Sequence, residues 1–144
     1  MTCGWRACAM SALLAPGLGA GAAGADAITL PSGVVVHEID RIWDEDAAAI
    51  RIRYLVPRLR EPASLYSADP ERVLTDMTWL CETQIRRLFA PGTDPRDEGW
   101  EGAIVTMMDR EIPFGEIDAE ATQFFEGFLF TMDGCTLDLD LYHD

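Results

Sequence analysis

The chain has 144 residues, 25 acidic and 11 basic, so its formal net charge is −14. Apolar residues make up 49% of it, which is typical of a globular domain and argues against a disordered chain. The negative charge argues against nucleic acid and anionic lipid as partners, because both need a basic surface. These limits do not identify a chemistry by themselves.

The beginning of the chain has the composition of an export signal. A single arginine, Arg6, precedes a stretch of small and apolar residues that reaches Ala25. Pro16 and the frequent glycines make this stretch a poor helix former, and it is marginal in length for crossing a bilayer. The pattern is typical of a secretory signal peptide.

Two small-x-small sequences offer cleavage sites for a signal peptidase. Cleavage after Ala27 is the favoured interpretation, and cleavage after Ala25 is the alternative. We therefore expect a signal peptide at residues 1–27 and one globular domain at residues 28–144. No second apolar segment is long enough to span a membrane, so we expect a soluble periplasmic or secreted protein.

Cysteine usage predicts a disulfide. Of four cysteines, Cys81 and Cys135 remain after signal cleavage. In an oxidising compartment only one pairing of these two is possible, and it is the favoured interpretation; two separate buried thiols are the alternative. A metal site would need more thiols or nearby histidines, so we expect neither a metal nor a cofactor.

Several short segments have the alternating or β-branched character of strands. They are residues 28–30, 34–43, 48–56, 103–108, 123–132 and 135–142. The last two flank Asp133-Gly134, the strongest two-residue hairpin signal in the chain. Pairing across this turn places Phe130 opposite Leu137 and turns Cys135 to the same side of the sheet.

Two arginines alternate with apolar residues in the third of these segments. If residues 44–47 form a loop, Glu38 lies opposite Arg53 and Asp40 lies opposite Arg51. Opposite charges that face each other across a strand pair contribute about 0.2–1 kcal/mol each. We therefore interpret both arginines as ion-pair partners on a solvated face rather than as a phosphate-binding site.

One long helix is predicted between the third and fourth strand segments. Asp69-Pro70 is a favourable helix start, and the pattern predicts a helix over residues 70–89 with Cys81 on its apolar side. Because Cys135 lies on the buried side of the last hairpin, the disulfide would clamp the helix to the sheet. We expect an α+β fold in which an antiparallel sheet of about five strands carries this helix on one face.

No complete catalytic or metal-binding motif is present in the sequence. The candidate binding surface combines aromatic residues with the acidic segment that follows the fourth strand: Trp79, Trp100, Phe114, Glu116, Asp118 and Gln123. We expect a non-enzymatic binding or envelope-interaction module whose partner is a periplasmic protein or a small ligand.

Two alternatives use the same acidic residues differently. In a small hydrolase, a carboxylate pair would act as general acid and base; in a calcium-stabilised envelope protein, carboxylates would hold the cation. Convergence of Glu116, Asp118 and Gln123 in one pocket with a raised carboxylate pKa would favour the hydrolase, whereas a convex arrangement would favour binding.

Six short motifs are distinctive: Ile28–Gly33, Ile42–Asp44, Leu80–Thr83, Asp109-Arg110, Phe114–Glu116 and Ala121–Glu126. On these motifs the sequence resembles a family of short exported proteobacterial proteins that share a domain of unknown function. The resemblance covers nearly all of the mature chain and implies no catalytic residues.

Overall fold

The computed structural model describes residues 26–61 and 69–142, so the expected signal peptide lies outside it except for Asp26 and Ala27. Six strands form one sheet in which spatial order follows chain order. They are β1 (Ala27–Thr29), β2 (Val35–Asp44), β3 (Ala49–Leu55), β4 (Gly102–Met108), β5 (Gln123–Phe130) and β6 (Cys135–Leu137).

The sheet is mixed, and it curves into a half-barrel. β3 and β4 run parallel, whereas every other pair of neighbours is antiparallel. The prediction of an antiparallel sheet of about five strands is therefore wrong in strand number and in pairing. The physical reason is the long connection between β3 and β4, which returns the chain to the end of the sheet where β3 started.

This connection contains the predicted helix. Helix α1 (Pro70–Leu80) continues through a π-helical turn (Cys81–Ile85) and a 3-10 turn (Arg86–Leu88), and the whole helical segment is 19 residues long. The helix expected at residues 70–89 is thus confirmed. Within the described residues, no helix is long and apolar enough to cross a membrane.

The hydrophobic core lies between this helical segment and one face of the sheet, here called the inner face. Ile50 and Ile52 of β3 are fully buried there, and so are Met77 and Leu80 of α1. In β3 these inner residues alternate with arginines, whose side chains must therefore point to the outer face.

A disulfide joins the helical segment to the last strand. Cys81 and Cys135 are bonded, with their Cα atoms 6.2 Å apart, and the Cys81 side chain is fully buried. The predicted bridge between helix and sheet is confirmed.

The last hairpin has a longer loop than predicted. Phe130 pairs with Cys135 rather than with Leu137, so the register differs by two residues. The reason is a four-residue loop, in which the Thr131 N–H donates to the Gly134 carbonyl at 2.9 Å and the Gly134 N–H donates to the Thr131 hydroxyl at 3.0 Å. Because the shift is even, Cys135 keeps the face that the sequence assigned to it.

Candidate functional site

The outer face of the sheet carries a pocket of about 170 Å³. Its floor comes from β3, β4 and β5, which present alternate side chains on this face. The main floor residues are Arg51, Arg53, Ile104, Thr106, Gln123 and Phe125. The pocket thus combines charged, polar and apolar groups from three adjacent strands.

The loop between β4 and β5, residues 109–122, forms the wall of the pocket. Ile112 is buried beneath the loop, whereas Phe114 is 57% exposed. A turn presents the Phe114 ring to the pocket: the Glu116 N–H donates to the Pro113 carbonyl at 3.0 Å, and Gly115 has φ +86°, a conformation that glycine adopts without strain.

A buried carboxylate closes the base of this loop. The Asp109 side chain is fully buried and accepts hydrogen bonds from Arg60 Nε at 3.1 Å and from the Thr122 N–H at 3.1 Å. Arg110 Nε lies 3.3 Å from the same carboxylate. These bonds tie the two ends of the loop together through Asp109.

Arg53 is buried in the pocket floor, with 7% of its surface exposed. Asp40 accepts hydrogen bonds from its Nε at 2.7 Å and from its Nη2, and the Ile112 carbonyl accepts one from its Nη1 at 2.5 Å. The hydrogen bond to Asp40 raises the pKa of Arg53 above its usual value. The prediction that this arginine lies on a solvated face is wrong, because the loop covers it.

Arg51 is held less completely than its neighbour. Its Nε donates to Asp44 at 2.7 Å, and this bond lowers the pKa of the Asp44 carboxyl. No hydrogen bond is made by its Nη atoms to any described residue, so they are available to a ligand. Both guanidinium groups face the Phe114 ring, with Cζ of Arg51 at 5.9 Å and Cζ of Arg53 at 5.6 Å from the ring centroid.

The predicted partners of the two arginines are also corrected. Asp40 lies opposite Arg53, in the place predicted for Glu38, and Arg51 binds Asp44. The cause is that β2 extends through Asp44, so its four-residue loop starts one residue later than predicted. Moving a loop by one residue shifts the register by two, which keeps acidic side chains facing the arginines.

The structure brings three of the predicted surface residues together at the pocket: Phe114, Glu116 and Gln123. Asp118 does not line it. The Asp118 carboxylate accepts the Glu120 N–H at 2.9 Å and lies 3.5 Å from Nη1 of Arg110. Among the described residues that line the pocket, Glu116 is therefore the one carboxylate.

The two tryptophans of the predicted surface lie elsewhere. Trp79 and Trp100 are half-buried and pack against the hydrophobic core. The Trp100 ring meets the Trp43 ring edge-on, with centroids 5.0 Å apart. Both residues contribute to packing and neither lines the pocket.

Sequence reasoning missed the apolar floor of the pocket. Residues 103–108 are apolar or threonine at every position, instead of alternating with charged residues. A strand with this pattern is covered on both faces, whereas one with strict alternation has a solvated face. This signal could have shown that the outer face of β4 lies under another segment.

Metal-binding groups are not gathered in the part of the chain that the structure describes. Across residues 26–61 and 69–142 there is no group of three or more His, Cys, Asp or Glu side chains that could hold a metal ion.

Comparison with known proteins assigns the chain to a family. A family model described as "Family of unknown function (DUF6497)" matches residues 12–139. No curated protein and no solved structure gives a significant match.

Proposed function

Since the chain belongs to the DUF6497 family, whose function is unknown, we propose a role from the geometry of the pocket: an exported, non-enzymatic module that binds a protein partner. The observation that carries this proposal is an open pocket flanked by exposed aromatic rings. Phe114 is 57% exposed and Phe125 is 58% exposed, although both lie beside apolar floor residues. Exposed apolar surface around a concavity is typical of an interaction site.

The volume of the pocket limits what can enter it. About 170 Å³ is close to the volume of cavities that hold one benzene-sized group. Sites that enclose whole small ligands are usually about 300–1,000 Å³. The pocket therefore suits one side chain of a protein partner better than a metabolite or an organic cofactor.

The lining suits an aromatic or large aliphatic side chain. Ile104, Met108 and Phe125 supply apolar contacts from the floor, and Phe114 supplies a ring surface from the wall. The Nη atoms of Arg51 can donate hydrogen bonds to a backbone carbonyl of the same partner. Such a combination of one buried anchor and a few polar contacts is common where proteins recognise each other.

Export is part of the proposal, and it is supported by the composition of the N-terminal segment and by the Cys81–Cys135 bond, which an oxidising compartment would maintain. β1 begins at Ala27, which pairs with His37. Cleavage after Ala25 would leave this strand whole, whereas cleavage after Ala27 would remove its first residue. The intact mass of the protein recovered from the periplasm or medium identifies the cleavage site, and a full-length cytoplasmic product would contradict export.

The binding role is tested by titrating N-acetylphenylalanine amide or indole into the oxidised protein and following its NMR spectrum. We expect the largest shift changes at Ile104, Met108 and Phe125. Phe114→Ala removes the exposed wall and should weaken binding about fivefold or more, because a well-packed ring contributes about 1 kcal/mol. Met132→Ala truncates a side chain that is 74% exposed on the hairpin loop and serves as the control.

Two results would contradict the binding role. In the first, neither probe changes the signals of the floor residues at the limit of its solubility. In the second, both probes bind Phe114→Ala as tightly as the unchanged protein.

A further inference from the structure

We infer that the natural occupant of this pocket is a cationic protein segment. One aromatic or large aliphatic side chain of the segment enters the pocket, and lysine or arginine side chains beside it contact Glu111 and Glu116. The inference rests on the proposed binding function and specifies the chemistry of the partner.

The charges of the pocket floor cancel within the protein itself. Arg51 is paired with Asp44 at 2.7 Å, and Arg53 is paired with Asp40 through two hydrogen bonds. Each pair has no net charge, so the floor does not attract an anionic group by its overall charge. What Arg51 still offers is hydrogen-bond donation to a neutral carbonyl.

The rim of the pocket is negative. Glu116 lines the pocket and is exposed, and Glu111 is exposed in the same loop, two residues before the lining residue Pro113. In the described part of the chain neither glutamate forms an ion pair, although Glu111 attracts Arg53 at longer range. A partner that brings positive charge to the rim would therefore meet carboxylates that form no ion pair with any described residue.

The apolar surface continues beyond the pocket along β5. Phe125 and Leu129 point to the same outer face, and they are 58% and 41% exposed. They are four positions apart along the strand, so their Cα atoms are separated by about 13 Å. A partner that binds as a short extended segment can reach both, whereas one small molecule in the pocket cannot.

The charge of the whole chain selects among possible occupants. A second copy would bring another −14 to the interface, and nucleic acid or anionic lipid would also be repelled. A basic segment is attracted and steered towards the surface. The cationic segment is thus the occupant that both the rim and the whole molecule favour.

Three synthetic peptides test the inference by isothermal titration calorimetry with the oxidised protein. The first is acetyl-Lys-Ala-Lys-Phe-Lys-Ala-Lys amide, the second replaces every lysine by glutamate, and the third replaces the phenylalanine by serine. At low salt we expect the first to bind about tenfold more tightly than the glutamate peptide, since two rim contacts contribute about threefold to fivefold each. It should bind at least about fivefold more tightly than the serine peptide, which lacks the aromatic anchor. The preference over the glutamate peptide should shrink at about 0.5 M salt, because salt at that concentration screens the attraction between exposed charges.

Charge variants assign the preference to the rim. Glu116→Gln should reduce the preference for the lysine peptide about threefold, as expected for one exposed charge. Glu98→Gln changes an exposed glutamate of the 3-10 turn Pro95–Glu98, away from the pocket, and should leave the preference unchanged. An equal effect of both variants would attribute the preference to net charge and would overturn the inference.

The remaining outcomes separate the inference from the proposed function. If both phenylalanine peptides bind equally well in a Phe114-dependent manner, the pocket binds an apolar anchor but the partner is not cationic. If the serine peptide binds as well as the first, charge acts without the pocket and the inference fails. If no peptide binds and sedimentation shows a dimer that Phe114→Ala dissociates, the occupant is a second copy and the inference fails. If no peptide binds and the protein is monomeric, both the inference and the proposed function fail.

Discussion

Tyr54 carries a hydroxyl that the fold leaves unpaired. The side chain is fully buried, and its Oη has no hydrogen-bond partner in the described structure. Burial raises the pKa of this hydroxyl above its usual range, because the charged form would lose its hydration.

Replacing Tyr54 by phenylalanine removes this unpaired group and keeps the ring. We expect the free energy of unfolding of Tyr54→Phe to stay the same or to rise by about 1 kcal/mol, because an unbonded buried hydroxyl costs desolvation energy. Urea denaturation measures the change. A loss of stability greater than about 1 kcal/mol would mean that the hydroxyl is hydrogen-bonded in solution.

Asp94 shows how hydrogen bonds within a short turn can lower the pKa of a carboxyl group. Its carboxylate accepts hydrogen bonds from the Arg96 guanidinium, at 2.6 Å from Nη2, and from the Arg96 N–H at 3.0 Å. These bonds, with the side-chain bond contributing most, lower the pKa of Asp94 from 3.8 to about 2. Hydrogen bonds to the charged form favour that form.

The lowered pKa has a defined pH dependence. Because the folded value lies below the unfolded one, the contribution of Asp94 to stability is complete above about pH 4 and is lost as the pH falls towards 2. An NMR titration of the side-chain carboxyl should give a midpoint near 2, and Asp94→Asn should remove this part of the acid dependence. Asp97→Asn is the control, and an Asp94 midpoint near 4 would contradict the assignment.

The helical segment and β6 are joined by the disulfide across a sequence separation of 54 residues. In the chain-entropy account a bridge that closes a loop of this length stabilises the folded state by up to about 4 kcal/mol. We expect the double variant Cys81→Ala with Cys135→Ala to lose about 2–4 kcal/mol of unfolding free energy.

Reductant supplies the matched comparison for this prediction. Dithiothreitol should destabilise the natural protein and leave the double variant unchanged in urea denaturation. Equal stability of the oxidised natural protein and the variant would contradict a stabilising role of the bridge.

The pairing of β2 with β3 can be tested through its ion pairs. Asp40→Ala leaves the buried Arg53 guanidinium without its carboxylate, and we expect a loss of about 2 kcal/mol, reduced from the value for a fully buried pair because Asp40 is partly exposed. Glu38→Ala is the control: it breaks a surface pair with Arg41 and should cost less than about 0.5 kcal/mol. Urea denaturation compares the two, and a larger loss for Glu38→Ala would support the register predicted from the sequence.

The elements themselves could be predicted because their signals are local. The helix start at Pro70, the apolar side that carries Cys81 and the face of Cys135 all follow from short-range periodicity, and the structure has each of them. The register errors also have a physical cause. Alternation determines which face of the sheet a side chain takes but not which residue lies opposite it, so both errors are shifts of two residues.

Long-range pairings account for what the sequence could not supply. The parallel neighbours β3 and β4 are specified by where the helical connection returns, which no local pattern encodes. Asp76 also depends on a long-range contact. This carboxylate is buried on α1, and it accepts a hydrogen bond from the backbone N–H of Ser32, 44 residues away, at 3.1 Å. Of the candidate site, Phe114, Glu116 and the floor residue Gln123 had been named from the sequence, whereas the rest of the floor was missed because both arginines were assigned to a solvated face.

At the scale of the whole molecule, net charge acts against the compact state. A charge of −14 on a chain of 144 residues produces self-repulsion, which salt screens over distances of about 10 Å at 0.1 M. We therefore expect the midpoint of thermal unfolding at pH 7 to rise when sodium chloride is added to a low-salt buffer. Calorimetry at several salt concentrations measures this, and a midpoint that stays constant or falls would show that local ion pairs outweigh the repulsion.

The parallel pairing of β3 with β4 also governs the order in which the molecule can be completed. Synthesis delivers β1, β2 and β3 first, and the edge of β3 stays unpaired until the helical connection and β4 have emerged. During this interval Cys81 lacks its disulfide partner, since Cys135 follows 54 residues later. We therefore expect an unfinished molecule to present an open strand edge together with the unpaired sulfur of Cys81, and association of two incomplete copies is the misassembly that this topology favours.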